Sequence, residues 1–261
     1  MVKKKYIWGK LLFNKMQRAV RVAVDAIFPP ACPVCGQALP YVNGIRSQVC
    51  LPCEEKLVYI KEPCCLKCGK EISDAETEYC YDCQKRAAGK NKHLYKQGTA
   101  VYSYTDAIQQ SIYRFKYQNK REYAAFYAKE IYNRRKGLLG GWGADVIVPV
   151  PLHGSKYRKR GYNQSALIAK ELGKYLNLPM DENLLIRSKK TIPMKELNNQ
   201  QRIKNLEKAF ICTRDSVRYK KVIIVDDIYT TGATIDACAR ELLKTGVQEV
   251  YYVCLCIGKG F

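Results

Sequence analysis

Four Cys-x-x-Cys pairs crowd between Cys32 and Cys83, and they limit what this chain can fold into more than any other feature. Cys32-x-x-Cys35 and Cys50-x-x-Cys53 stand fourteen residues apart; Cys65-x-x-Cys68 and Cys80-x-x-Cys83 stand eleven apart. The surrounding segment, 31–88, is rich in proline and glycine and too short to build a strong core unaided, so it needs a staple. Two sulfurs of one short turn can share an ion, and Gly36 and Gly69 directly follow where such a turn takes a positive φ. The reading is two structural Zn²⁺ sites of four cysteines each, because four protein ligands leave no open position for water. Disulfides would require an oxidising compartment. The spacing leaves two points open: interleaved ligation, with the first and third pairs on one ion, and Cys64 in place of Cys65. Zinc removal is expected to unfold residues 31–88 and to spare the rest.

The 261 residues, 47% apolar, suffice for one large or two modest domains with a real core, which excludes a disordered chain. Lys plus Arg number 45 against 24 acids, a formal charge of +21, and eight zinc-bound thiolates with two Zn²⁺ bring it to +17. A polyanionic partner is expected. Charge interrupts every hydrophobic stretch before the roughly 20 apolar residues of a membrane-spanning helix, so no transmembrane segment is expected. Residues 6–28 space apolar side chains as an amphipathic helix with a basic second face, ending before Pro29-Pro30. Docking on a neighbouring domain is one role for it, and contact with a membrane surface or nucleic acid the other. Lys10, Lys15, Arg18 and Arg21 break any secretory signal pattern, which together with the thiols implies a cytoplasmic protein, a peripheral place at the inner membrane face remaining open.

Past Gly89 the cysteine spacing ends and a basic, tyrosine-rich stretch begins: residues 84–136 hold thirteen Lys or Arg and three acids. Ala100–Tyr104 reads as a strand, Asp106 as the cap of a helix through Phe115, and Glu122–Asn133 as a second helix. Interleaved aromatics and cations suit base stacking or, equally, a core under a solvated basic face. Strands at 146–150, from 221 and at 249–257 alternate with helices at 163–176 and 234–244, which predicts an α/β fold with a mostly parallel sheet. Three segments result: a basic helix over 1–30, a double zinc module over 31–88 and an α/β domain over 89–261. Cys212, Cys238, Cys254 and Cys256 read as small buried apolar residues.

Val222-Ile-Ile-Val-Asp-Asp-Ile-Tyr-Thr-Thr-Gly-Ala-Thr234 carries the chemistry. Four β-branched residues suit a central strand buried on both faces, and Asp226 and Asp227 fall toward its carboxyl end, where ligands bind. Thr230, Thr231, Gly232, Ala233 and Thr234 then open a helix, so backbone N–H groups and hydroxyls can surround a phosphate. The two carboxylates can accept hydrogen bonds from vicinal ribose hydroxyls or hold Mg²⁺ through water. A Walker-type loop is excluded because no Gly-Lys-Ser/Thr follows. Upstream, Lys156, Arg158 and Arg160 stand in a strand-to-helix connection without an acid, which suits either a second dense anion or a solvated basic loop. His153 reads as a hydrogen-bonding loop residue.

The thirteen-residue strand and loop resemble the signature of the phosphoribosyltransferases. The resemblance implies a loop that binds the 5-phosphate of phosphoribosyl pyrophosphate (PRPP), acids that contact its ribose, and a connection at Lys156, Arg158 and Arg160 that binds pyrophosphate. It also implies a mobile loop over 185–210, with Arg202 and Asn205 near the ligand, or else a surface hairpin and helix there. Phe28-Pro-Pro-Ala-Cys-Pro-Val-Cys-Gly, Phe115-Lys-Tyr, Val148-Pro-Val-Pro-Leu-His, Arg160-Gly-Tyr-Asn-Gln and Gln201-Arg-Ile-Lys-Asn extend the likeness to nearly the whole chain. Together they resemble the ComF family, which joins a double zinc module to a phosphoribosyltransferase-like domain. That implies PRPP and Mg²⁺ as ligands, a role in natural competence, contact with incoming single-stranded DNA and a competence helicase as partner. The alternative is a metabolic phosphoribosyltransferase that passes phosphoribose to a nitrogen nucleophile.

Overall fold

A computed structural model describes residues 29–39, 41–42, 45–89, 92–188, 206, 209–213 and 218–258. The helix expected over 6–28, and Arg202 and Asn205, lie outside these residues. Two compact units result, Met1–Glu55 and Lys56–Phe261, so the division runs between the two cysteine sets.

In the first unit a two-stranded antiparallel ribbon, β1 (Tyr41–Val42) with β2 (Ile45–Arg46), precedes helix α1 (Leu51–Glu54). The second unit begins with helix α2 (Tyr81–Ala88), strand β3 (Gln97–Ser103) and helices α3 (Asp106–Tyr117) and α4 (Tyr123–Gly141). Strand β4 (Val146–Pro149) leads through helices α5 (Gly154–Arg160) and α6 (Gln164–Leu176) to a short antiparallel pair, β5 (Leu185–Arg187) with β6 (Phe210–Cys212). Strand β7 (Lys221–Tyr229), helix α7 (Ala233–Lys244) and strand β8 (Glu249–Ile257) complete it.

Strands β3, β8, β7 and β4 form, in that order, a four-stranded sheet whose pairings are all parallel. A parallel sheet is covered on both faces, and β7 shows it: Val222, Ile223, Ile224 and Val225 are all fully buried. Each such side chain contributes about 1.5–3 kcal/mol by leaving water. Both sheet edges are covered by backbone. Ile60 N–H donates to Val101 and Ser103 N–H to Val58 along β3, while Ile147 on β4 exchanges bonds with Pro179 and Asp181. Among the described residues no helix is long and apolar enough to cross a membrane.

Several boundaries differ from expectation for local reasons. Thr105 caps α3, and Asp106 sits in its first turn, where a carboxylate favours the helix dipole. Helix α4 continues past Asn133 to Gly141 although Gly137, Gly140 and Gly141 are poor helix formers, because the extension buries Leu139 and leads into buried Trp142. Strand β7 runs past both acids to Tyr229, which pairs with Ile257. Residues 154–160 form a short helix capped by His153, whose Nδ1 accepts from Ser155 N–H, which agrees with its expected hydrogen-bonding role. Cys238, Cys254 and Cys256 are fully buried, whereas Cys212 is half-buried.

Candidate phosphate-binding site and metal centres

The two cysteine sets fold alike. In each, the first pair closes a knuckle on glycine: Gly36 (φ 82°) donates to Cys32 O and Gly69 (φ 68°) to Cys65 O, both at 2.8 Å. The second pair in each set opens a helix. Cys50 and Cys80 are the N-caps of α1 and α2, which puts Cys53 and Cys83 in the first turn on the same side. The four sulfurs of Cys32, Cys35, Cys50 and Cys53 lie within 4.8 Å of one another, as do those of Cys65, Cys68, Cys80 and Cys83. Cys35 and Cys50 sulfurs are 3.7 Å apart and those of Cys68 and Cys80 are 3.6 Å. Zn–S bonds of about 2.3 Å in a tetrahedron place sulfurs ~3.8 Å apart, so both donor sets fit Zn²⁺ and neither fits a disulfide. Ligation follows sequence order and is not interleaved. Cys64 stays outside the second set, donating to Lys61 O, with its thiol pushed up to about 12 by burial and then by the charge of Glu62.

The second set is built into the α/β unit. Cys65, Cys68, Cys80 and Cys83 share one buried cluster with Tyr95, Tyr229, Ala233 and Tyr252. Tyr252 on β8 donates its hydroxyl to Cys68 O at 2.7 Å, and Gly98 N–H on β3 donates to Lys67 O at 2.9 Å. The approach leaves no room for side chains: a Cβ on Gly69 would sit 2.7 Å from Gly98 O.

The threonine-rich loop leaves β7 at its carboxyl end and enters α7 at Gly232, whose φ of 78° is a left-handed turn closed to most residues. Asp226, Ile228 and the loop from Tyr229 to Ile235 line one small concavity. Beneath the loop, Tyr229 stacks on Tyr252 at 4.8 Å and shares a 2.7 Å hydroxyl bond with Tyr95. Asp236, buried in the first turn of α7, accepts from Arg86 of α2 at 2.7 Å, from His93 Nδ1 at 2.8 Å and from Leu94 N–H at 2.9 Å. A carboxylate at a helix N-terminus repels an incoming anion, and the cation from the zinc-held helix offsets that charge.

The two acids project to opposite faces of β7, as neighbours on a strand must. Asp226 accepts from Ser165 Oγ at 3.0 Å and from Asp227 N–H at 2.9 Å, and burial, then the charge of Asp227, raises its carboxyl to about 7. Asp227 does not line the loop concavity; it forms a 2.6 Å ion pair with Lys116 of α3, with side chains 6% and 17% exposed. Burial disfavours the Lys116 ammonium, but Asp227 outweighs it and holds the group above its usual range. Arg160 bonds the side chain of Gln164 and lies over the Tyr117 ring at 5.2 Å. Lys156 is held below the usual lysine range by partial burial and by the like charges of Arg187, Arg160 and Lys116. Arg158 stands exposed on the same helix.

Sequence reasoning therefore missed Lys116, Ser165 and Arg187 as members of this cluster. Lys116 lay in the Phe115-Lys-Tyr motif and could have been singled out there. Ser165 and Arg187 carried no local signal, since only the folded sheet brings them to Asp226.

Residues 23–84 match the double zinc ribbon domain model and residues 162–260 the phosphoribosyl transferase domain model. Competence protein F of Haemophilus influenzae is 28% identical over 210 residues, covering 78% of this chain and 88% of that protein. Competence protein ComFC of Bacillus subtilis is 29% identical over 201 residues, covering 77% of this chain and 80% of its own. DNA utilization protein YhgH of Salmonella typhimurium is 32% identical over 161 residues, covering 60% of this chain and 70% of that protein. With two four-cysteine ribbons, a parallel sheet carrying the loop, and relatives aligned across most of their own length, the chain belongs to the ComF family.

Proposed function

We propose that this protein binds PRPP with Mg²⁺ in the cytoplasm and acts in natural competence, handling incoming single-stranded DNA. The observation that carries the reading is the gathering of the Thr230–Thr234 loop, Asp226, Lys116, Lys156, Arg160 and Arg187 about the carboxyl end of β7. In this reading the loop takes the 5-phosphate, Asp226 takes ribose hydroxyls or Mg²⁺ through water, and the cations take the pyrophosphate. Asp227 acts through Lys116, which it keeps charged and in place. The names of the relatives, competence and DNA utilization proteins, support the DNA side, as does a charge of +17 with zinc bound.

Calorimetry of PRPP·Mg²⁺ across roughly pH 5.5–8.5 tests the site. Wild-type affinity is expected to weaken as pH falls through about 7, where Asp226 takes up a proton. Asp226→Asn is expected to bind at least about tenfold more weakly above that pH and to lack this component of the profile, the ligand's own phosphate titration near pH 6 remaining in both. The same variant should melt higher than wild type in alkali. A carboxyl whose folded pKa is raised is most stabilising when protonated, so its ionisation weakens the fold as pH rises from its ordinary 3.8 to about 7. Equal affinity of wild type and variant throughout would overturn the site. Strand binding by fluorescence anisotropy should fall steeply with salt; absence of binding at low salt would overturn the DNA role, and pyrophosphate release with a nitrogen acceptor would establish the transferase instead.

A further inference from the structure

The tyrosine-rich stretch divides on folding. Tyr95, Tyr102, Tyr123 and Tyr127 are fully buried, whereas Tyr113 and Tyr117 of α3 remain 57% and 61% exposed. Spaced four apart on one helix face, their rings pair at 5.1 Å with a 46° tilt. They border an open groove of about 620 Å³ whose lining also includes Tyr104, Gln109, Arg114 and Gln118. No lining residue is acidic, and the Arg160 guanidinium lies 5.2 Å from the Tyr117 ring.

We infer that this groove stacks unpaired bases of a single nucleic-acid strand, with Tyr113 and Tyr117 as the platform. The inference rests on the DNA reading above and assigns it a surface. Exposed aromatic faces accept any base, guanidinium groups meet the phosphates, and amides can bond base edges. An acid-free wall suits a polyanion better than a protein surface of mixed charge. The groove also adjoins the phosphate loop. Ile228 lines both concavities, and Lys116, the partner of Asp227, lines the groove.

Anisotropy with labelled oligothymidine, an abasic strand of the same length and thymidine monophosphate as competitor tests the assignment in the full chain. Tyr113→Ala and Tyr117→Ala should each weaken oligothymidine binding about five- to 150-fold, the range that base–aromatic stacking spans. Tyr113→Phe should bind like wild type, and abasic-strand affinity should be the same in all four proteins. Unchanged oligothymidine binding by both alanine variants would overturn the groove while leaving the DNA reading intact. Equal losses for the two strands would also overturn it, by tracing the effect to phosphate contacts or folding. Displacement by thymidine monophosphate at concentrations comparable to the strand would make this a nucleotide pocket and overturn it too. A wild-type protein that binds neither strand at low salt would sink the DNA reading itself.

Discussion

Replacing Cys68 by serine is expected to unfold the α/β sheet along with the second zinc ribbon. Cys68 is 1% exposed and its carbonyl accepts the Tyr252 hydroxyl from β8 at 2.7 Å. The neighbouring knuckle carbonyl of Lys67 accepts Gly98 N–H from β3, and the same ribbon sends Arg86 to Asp236 in the first turn of α7. Structural zinc contributes on the order of 10–16 kcal/mol to folding, as much as a domain's whole net stability of about 5–15 kcal/mol. Calorimetry should show the Lys56–Phe261 transition lost or lowered by more than ~10 °C in Cys68→Ser, together with one equivalent of zinc. Cys32→Ser should lose one equivalent as well but keep that transition, since its ligand set lies in the other compact unit. A Cys68→Ser protein with an unaltered sheet transition would refute the coupling. The expectation that zinc loss spares the sheet treats residues 31–88 as one module; the packing of the second ribbon argues otherwise.

The reason this coupling is hidden in the sequence is physical. Its bonds run through the carbonyls of Cys68 and Lys67 and through close approach at Gly69 and Gly98, none of which leaves a side-chain signature. Features with a period or a fixed spacing were legible: the sulfur pairs, the buried run of β7, the loop opening α7, and β8, found at the expected Glu249–Ile257. Sequence also left base stacking and core packing equal for the tyrosines. The fold puts Tyr95, Tyr102, Tyr123 and Tyr127 into the core, whereas α3 buries Ile108, Ile112 and Phe115 and so turns Tyr113 and Tyr117 outward. The two acids read as one unit in sequence, yet alternation along β7 gives Asp226 to the loop and Asp227 to Lys116.

That division yields the second large effect. Lys116→Met should destabilise the protein by about 3–5 kcal/mol, because it leaves the Asp227 carboxylate, 6% exposed, without its partner at 2.6 Å. Asp227→Asn should be destabilising for the converse reason, leaving a half-buried ammonium without its partner. The double variant Lys116→Met/Asp227→Asn should recover most of either loss, since no buried charge is then left unpaired, and a double-mutant cycle in urea reads the difference. The pair's contribution should persist through alkaline pH: Asp227 holds Lys116 above its ordinary 10.5, so the stabilisation is complete below that value and is lost only as pH rises beyond it. Strictly additive losses in the double variant would show that the two side chains are not coupled. A recovered fold that still fails to bind PRPP·Mg²⁺ would separate the two roles of Lys116, leaving Asp227 as the residue that positions it and Lys116 as a cation of the anion site.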